Sequence, residues 1–166
     1  MNSQELKLLQ APLKDKYRKD PESAIITLKA KGKIGERISC KIETGRVLAE
    51  AGLHPASGGD GTLVCSGDLL LEALVACAGV TLNAVATSMG INIVDGMVLV
   101  EGDLDFKGTL AVSKEVPVGF KSIRLSFHLD CDADEEKKQI LLKLTERYCI
   151  VYQTITKATE VNSKII

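Results

Sequence analysis

The sequence predicts a single α+β domain. Three observations carry this prediction: an apolar run of helix length from Leu69 to Ala86, strand-patterned segments on both sides of it, and a second helix opened by Asp132-Ala133-Asp134-Glu135. At 166 residues the chain is long enough to bury one sizeable core.

Residues 3 to 19 read as a polar, partly helical arm, with Leu6, Leu9 and Leu13 at helical spacing, Pro12 interrupting them and Pro21 ending the segment. Residues 24–30 and 37–43 then read as strands. Gly32-Lys33-Ile34-Gly35 between them is expected to be the hairpin turn, its glycines supplying positive φ, and a third short strand is read through residues 46–49. The glycine-rich stretch 51–67 invites a phosphate-loop reading. That reading fails, because Gly58-Gly59-Asp60-Gly61-Thr62 has neither the lysine of a GxxxxGK[ST] loop nor GxGxxG spacing, and it carries an acid where a phosphate would sit. A loop leading into the helix is the expectation.

The helix should run from about Asp68 to Met89, with Ser66 or Gly67 near its N-cap and Gly90 as its C-terminal stop. Glu72 and Asn83 interrupt the apolar run and no positive flanks bracket it, so it is read as a core helix and not as a membrane span. It is apolar on nearly every face. Such a helix must be enclosed, by sheet on one side and by another helix or another subunit on the other.

Residues 91–94, 97–106 and 120–129 alternate as strands and are expected to form an antiparallel meander. The second helix follows, its acidic first turn favoured by the macrodipole, with Ile140, Leu141, Leu144 and Tyr148 on one face and Cys149 at or just past its end. A last short strand is read near residues 160–166.

Composition excludes several function classes. A formal net charge of -1 is not that of a nucleic-acid binder, and 4% aromatic residues with no Trp leave few platforms for stacking bases. The first residues lack the apolar segment of a secretory signal, and five cysteines are an odd number, which together point to a reducing cytoplasm. His54 and His128 have no cysteine or carboxylate at metal-ligand spacing, so neither a metal nor a cofactor is expected.

Chemistry is expected at Cys77, in the middle of the apolar helix, and at Cys149. Burial in apolar surroundings raises a thiol's pKa, so a reactive Cys77 requires a nearby cation or helix N-terminus to restore the thiolate. Cys40 alternates with Ile38 and Ile42 and is read as packing; Cys131 is placed in an acidic loop that disfavours a thiolate; Cys65, just before the helix, is the alternative partner for Cys77.

Residues 67–77, Gly-Asp-Leu-Leu-Leu-Glu-Ala-Leu-Val-Ala-Cys, resemble the (P)xELLLAALAxC segment of the OsmC/Ohr family of osmotically inducible and organic-hydroperoxide-resistance proteins. Arg147-Tyr148-Cys149-Ile150-Val151 resembles the second cysteine motif of that family, usually Cys-Pro-Val. The resemblance implies an OsmC-like fold at residues 23–166, after an N-terminal arm at 1–22, with antiparallel sheets wrapped around central apolar helices in an intertwined homodimer. It further implies a cysteine-dependent peroxidase for organic hydroperoxides, in which Cys77 becomes a sulfenic acid, Cys149 resolves it, and an external dithiol or lipoyl protein is the reductant. Neither nucleic acid nor membrane is an implied partner. In the family an arginine held by a glutamate serves the cysteine; Asp68 stands at the glutamate by spacing, and Arg46, with Arg37 the other candidate, at the arginine.

Two positions depart from the pattern: Ile150 replaces the proline and Asp68 the glutamate. Nine residues at about 100° each put Asp68 and Cys77 on opposite faces of a regular helix. Either the helix starts after Asp68 or Asp68 serves the pocket of a partner subunit. The alternative to an enzyme is a non-catalytic dimer that holds a small hydrophobic ligand in an interfacial pocket.

Overall fold

The computed structural model describes residues 2–5, 8, 10–11, 19, 31–34, 39–43 and 48–166, with backbone alone for 31–34, 39–43 and 48–49. Its elements in chain order are β1 (Lys31–Ile34), β2 (Ser39–Glu43), β3 (Leu48–Gly52), a 3-10 turn (Pro55–Ser57), β4 (Val64–Cys65) and α1 (Ser66–Met89). There follow β5 (Ile93–Asp103), the one-turn α2 (Phe106–Thr109), β6 (Ser122–Cys131), α3 (Glu135–Tyr148) and α4 (Ile150–Thr156). The fold is α+β. The chain forms two compact units, one of residues 1–19, 73–99 and 126–166 and one of 20–72 and 100–125.

The second unit holds a sheet in the order β1-β2-β3-β4, antiparallel except for the parallel β3–β4 pair. Gly32-Lys33-Ile34 is strand, not turn: Ile34 pairs with Cys40 and Lys31 with Glu43. The strand expected at 24–30 lies outside the described residues, as do Arg37 and Arg46. β3 starts at Leu48 and runs on to Gly52 because its pairing with β2 extends to Ser39. After the 3-10 turn the N–H groups of Ser57 and Gly59 both donate to the His54 carbonyl. A Cβ on Gly59 would lie 1.7 Å from the Leu53 carbonyl oxygen, so this close approach requires glycine.

In the first unit, α1 contributes Leu74, Ala78, Leu82 and Ala86, a buried stripe at four-residue spacing. Leu82 and Ala86 join Ile91, Ala133 and Leu141 in the core, with Phe127, Leu129 and Cys131 packed against it. α1 has the length and apolar composition of a membrane span, and 22% of that stretch is buried within the chain. Away from this stripe, Val80 of the same helix is 73% exposed. Gly90, at φ +71°, ends the helix as expected.

Strands read separately at 91–94 and 97–106 are the single β5, in which Gly96 admits Leu129 of β6 at a Cβ distance of 3.1 Å. Gly96 marks a close cross-strand approach. β5 and β6 form a two-stranded sheet, not a meander, made antiparallel by bonds from Lys121 N–H to the Asp103 carbonyl and from Asp132 N–H to the Asn92 carbonyl. Cys131 is the last residue of β6 and is partly buried, not a loop residue.

Asp134 caps α3 by accepting from Lys137 N–H at 2.8 Å, so the helix starts where its acids predict. Its buried residues are Leu141 and Thr145, whereas Ile140 and Tyr148 are 43% and 58% exposed. Thr145 takes the inward position because its hydroxyl donates to the Leu141 carbonyl at 2.8 Å and needs no other partner. The strand expected at 160–166 is irregular chain, and the element that forms instead is α4.

Candidate functional site

Cys149 is the hinge between two helices. Its N–H donates to the Thr145 carbonyl at 2.9 Å and closes α3, while its backbone turns extended at φ −73° and ψ 110°. Its sulfur then accepts from Tyr152 N–H at 3.5 Å and its carbonyl from Gln153 N–H at 2.9 Å, so the same residue caps α4. The Gln153 side-chain amide donates to the Glu146 carbonyl at 2.8 Å and ties α4 back to α3. Held in this way, Cys149 is 1% exposed.

Cys77 projects from the middle of α1 and is half-buried. The Cys149 side chain lowers the Cys77 thiol, and Cys77 in turn raises that of Cys149. Both thiols are free. Burial pushes the Cys77 thiol up, but the N–H of Val151, the Cys149 thiol, the N–H of Ile150 and the Thr81 hydroxyl outweigh it, and Cys77 lies below the ordinary thiol value. Burial likewise pushes Cys149 up, and the negative charge forming on Cys77 keeps it there, although Tyr152 N–H opposes. The two thiols are therefore driven apart: one toward thiolate, the other held as thiol.

The groups that offset burial at Cys77 are backbone amides at the start of α4 and a hydroxyl one turn along α1. Sequence reasoning asked for a cation or a helix N-terminus, but named neither α4 nor Thr81 as its source. Thr81 was legible, four residues from Cys77 on the same helix face. The amides were not, because Ile-Val-Tyr-Gln-Thr-Ile-Thr is a β-branched run that gives no helix signal.

Asp68 sits in the first turn of α1, so the helix does not start after it. It is exposed and lines a cavity of about 350 Å³ in the second unit, together with His54, Cys65, Leu71, Phe106 and Phe120. The His54 ring stacks on Phe106 with centroids 4.9 Å apart, and its Nδ1 accepts from Ala56 N–H at 3.0 Å. Beside them, Arg124 donates to Asp103 and Glu101, and this pairing, with the Ser122 hydroxyl, holds the Asp103 carboxyl well below the usual carboxylate range.

The sequence model of a family described as OsmC-like protein matches residues 59–164. None of the curated proteins matches the chain. Among solved structures, it is similar to an OsmC-like protein from Mycoplasma pneumoniae, with a TM-score of 0.66 at 17% identity over 79% of this chain and 88% of that one. It is also similar to an organic hydroperoxide resistance protein OsmC from Legionella pneumophila, at TM-score 0.62 and 20% identity over 79% and 90%. For the organic hydroperoxide resistance protein OhrB of Bacillus subtilis the values are 0.53 and 21% over 77% and 89%. At these identities the likeness shows the fold.

Proposed function

Because the chain belongs to the OsmC-like protein family, we propose that it is a cysteine-dependent peroxidase that reduces organic hydroperoxides. The observation that supports the reading is the opposed shift of the two motif cysteines, each acting on the other: Cys77 is lowered and Cys149 raised.

The Cys77 thiolate attacks the terminal oxygen of the hydroperoxide; the O–O bond breaks, and the departing alkoxide takes up a proton to leave as alcohol. Cys77 is then a sulfenic acid. Cys149 attacks that sulfur, its own proton and the sulfenic hydroxyl leave as water, and a Cys77–Cys149 disulfide remains. An external dithiol or lipoyl protein reduces the disulfide and is itself oxidised. No cofactor is required.

The open side of α1 is covered by a second copy in a homodimer, which completes the enclosure that the helix's composition demands. Asp68 then belongs to the partner's site, and Arg46, or else Arg37, is the arginine that meets it. The cell compartment is the cytoplasm, where reductant is at hand.

Turnover of cumene hydroperoxide or a fatty-acid hydroperoxide in the presence of a dithiol tests the reading. Activity is expected, and Cys77→Ser should abolish it. Activity that survives in Cys77→Ser rules the mechanism out, and a protein that binds the hydroperoxide without consuming it is the ligand-holding dimer instead.

A further inference from the structure

Residues 104–121 join β5 to β6 in a loop that folds back on itself. After the single turn of α2, the N–H groups of Val112 and Ser113 both donate to the Lys107 carbonyl, at 2.9 and 3.2 Å. Ala111 reverses the chain there with a left-handed φ of +56°, a conformation that costs any residue with a Cβ. Gly108 is buried, and a Cβ on it would lie 2.6 Å from the Pro117 carbonyl oxygen and 2.7 Å from that of Val116. The returning limb therefore rests on Gly108, and the loop is closed.

Closure turns three aliphatic side chains outward. Leu110, Val112 and Val118 are 52%, 71% and 64% exposed, while Val116 of the same loop is half-buried. Charge and size decide what covers them. Residues 106–121 hold three lysines, Lys107, Lys114 and Lys121, against one glutamate, Glu115, in a chain whose formal net charge is -1. Lys107 is drawn to Asp105 at 3.4 Å; Lys114 and Lys121 are exposed. Three apolar side chains fall far short of the ~20–30 residues a side that a stable protein interface uses. Beside lysines, they suffice for reversible insertion at an anionic bilayer.

We propose that the 104–121 loop is a membrane-docking tip, in which Leu110, Val112 and Val118 enter the acyl boundary of an anionic bilayer while Lys114 and Lys121 meet its phosphate headgroups. The inference goes beyond the peroxidase reading and stands without it. The family resemblance implies no membrane partner, and the sequence does not display the tip, because Ser113, Lys114, Glu115 and Pro117 interrupt its apolar residues.

The chain has no Trp, so a single introduced indole reports on its own position. Val112→Trp places one in the loop, and Val161→Trp places one at another exposed site near the C-terminus. With mixed phosphatidylglycerol–phosphatidylcholine vesicles, the emission of Val112→Trp should shift to the blue and that of Val161→Trp should not move. The unaltered chain should sediment with the same vesicles, and less so as salt is raised. Leu110→Ser should partition about tenfold less, and Lys114→Gln about fivefold less, the lysine effect vanishing on phosphatidylcholine alone. Both substitutions alter exposed side chains, so the fold is kept. An unaltered chain that stays in the supernatant overturns the proposal, as does equal partition of Leu110→Ser. Emission of Val112→Trp that shifts with protein concentration in the absence of vesicles assigns the tip to a contact between copies of the chain, and that result overturns it too.

Discussion

Replacing Cys149 with alanine separates the two chemical steps. Alanine deletes two effects of the Cys149 side chain: its thiol lowers Cys77, and its sulfur accepts from Tyr152 N–H. Its backbone bonds to Thr145 and Gln153 remain. A thiol is a weak donor, so its loss removes about 1 kcal/mol from the Cys77 thiolate, a factor of about five in thiolate on the rising limb of the titration. Loss of the cap costs roughly 1 kcal/mol of helix stability, small beside the ~5–15 kcal/mol of a folded domain, so the variant should fold.

Because Cys77 lies below the ordinary thiol value, thiolate and rate in the unaltered protein should rise with pH and level off earlier than for a free thiol. In Cys149→Ala that limb should move to higher pH. Cys149→Ser keeps a donor and a cap, and should hold the limb in place. One equivalent of hydroperoxide should leave the unaltered protein two hydrogens lighter by intact mass and each variant one oxygen heavier, as sulfenic acid. Excess peroxide should carry the variants on to sulfinic acid. A disulfide that forms in Cys149→Ala, with Cys65 or another thiol as partner, would refute the role given to Cys149.

Two stability predictions follow from the packing around the hinge and the cavity. Leu141 is 1% exposed in the core beneath α3, so Leu141→Ala, which deletes three carbons at about 0.8 kcal/mol each and leaves a void, should cost about 3 kcal/mol in denaturant unfolding; a loss under about 1 kcal/mol would show that the site is not close-packed. Gly59→Ala places a Cβ 1.7 Å from the Leu53 carbonyl oxygen, which the 3-10 turn cannot keep, and about 1–3 kcal/mol should be lost; an unchanged melting temperature would contradict that geometry.

How far the sequence could be read depended on what decides each element. α1 was legible to within two residues because an apolar run and a terminal glycine specify a helix locally, and Asp134 marked the start of α3. β1 was misread as a turn because Gly32 signals positive φ, whereas pairing with β2 decides its conformation. The separation of 91–94 from 97–106 was likewise not a break: both lie in β5, where Gly96 admits Leu129 from across the sheet. α4 was not legible at all, since its start is set by the capping of Tyr152 at Cys149 and not by periodicity. At the site, the cysteine pair was legible from its motifs, while two of the groups that lower Cys77 are main-chain atoms, which no residue type announces.

The most direct measurement of the redox pair is peptide mapping without reduction after one equivalent of organic hydroperoxide. A Cys77–Cys149 disulfide, with one alcohol released per disulfide, is the expected product. Five free thiols and unconsumed hydroperoxide would contradict it.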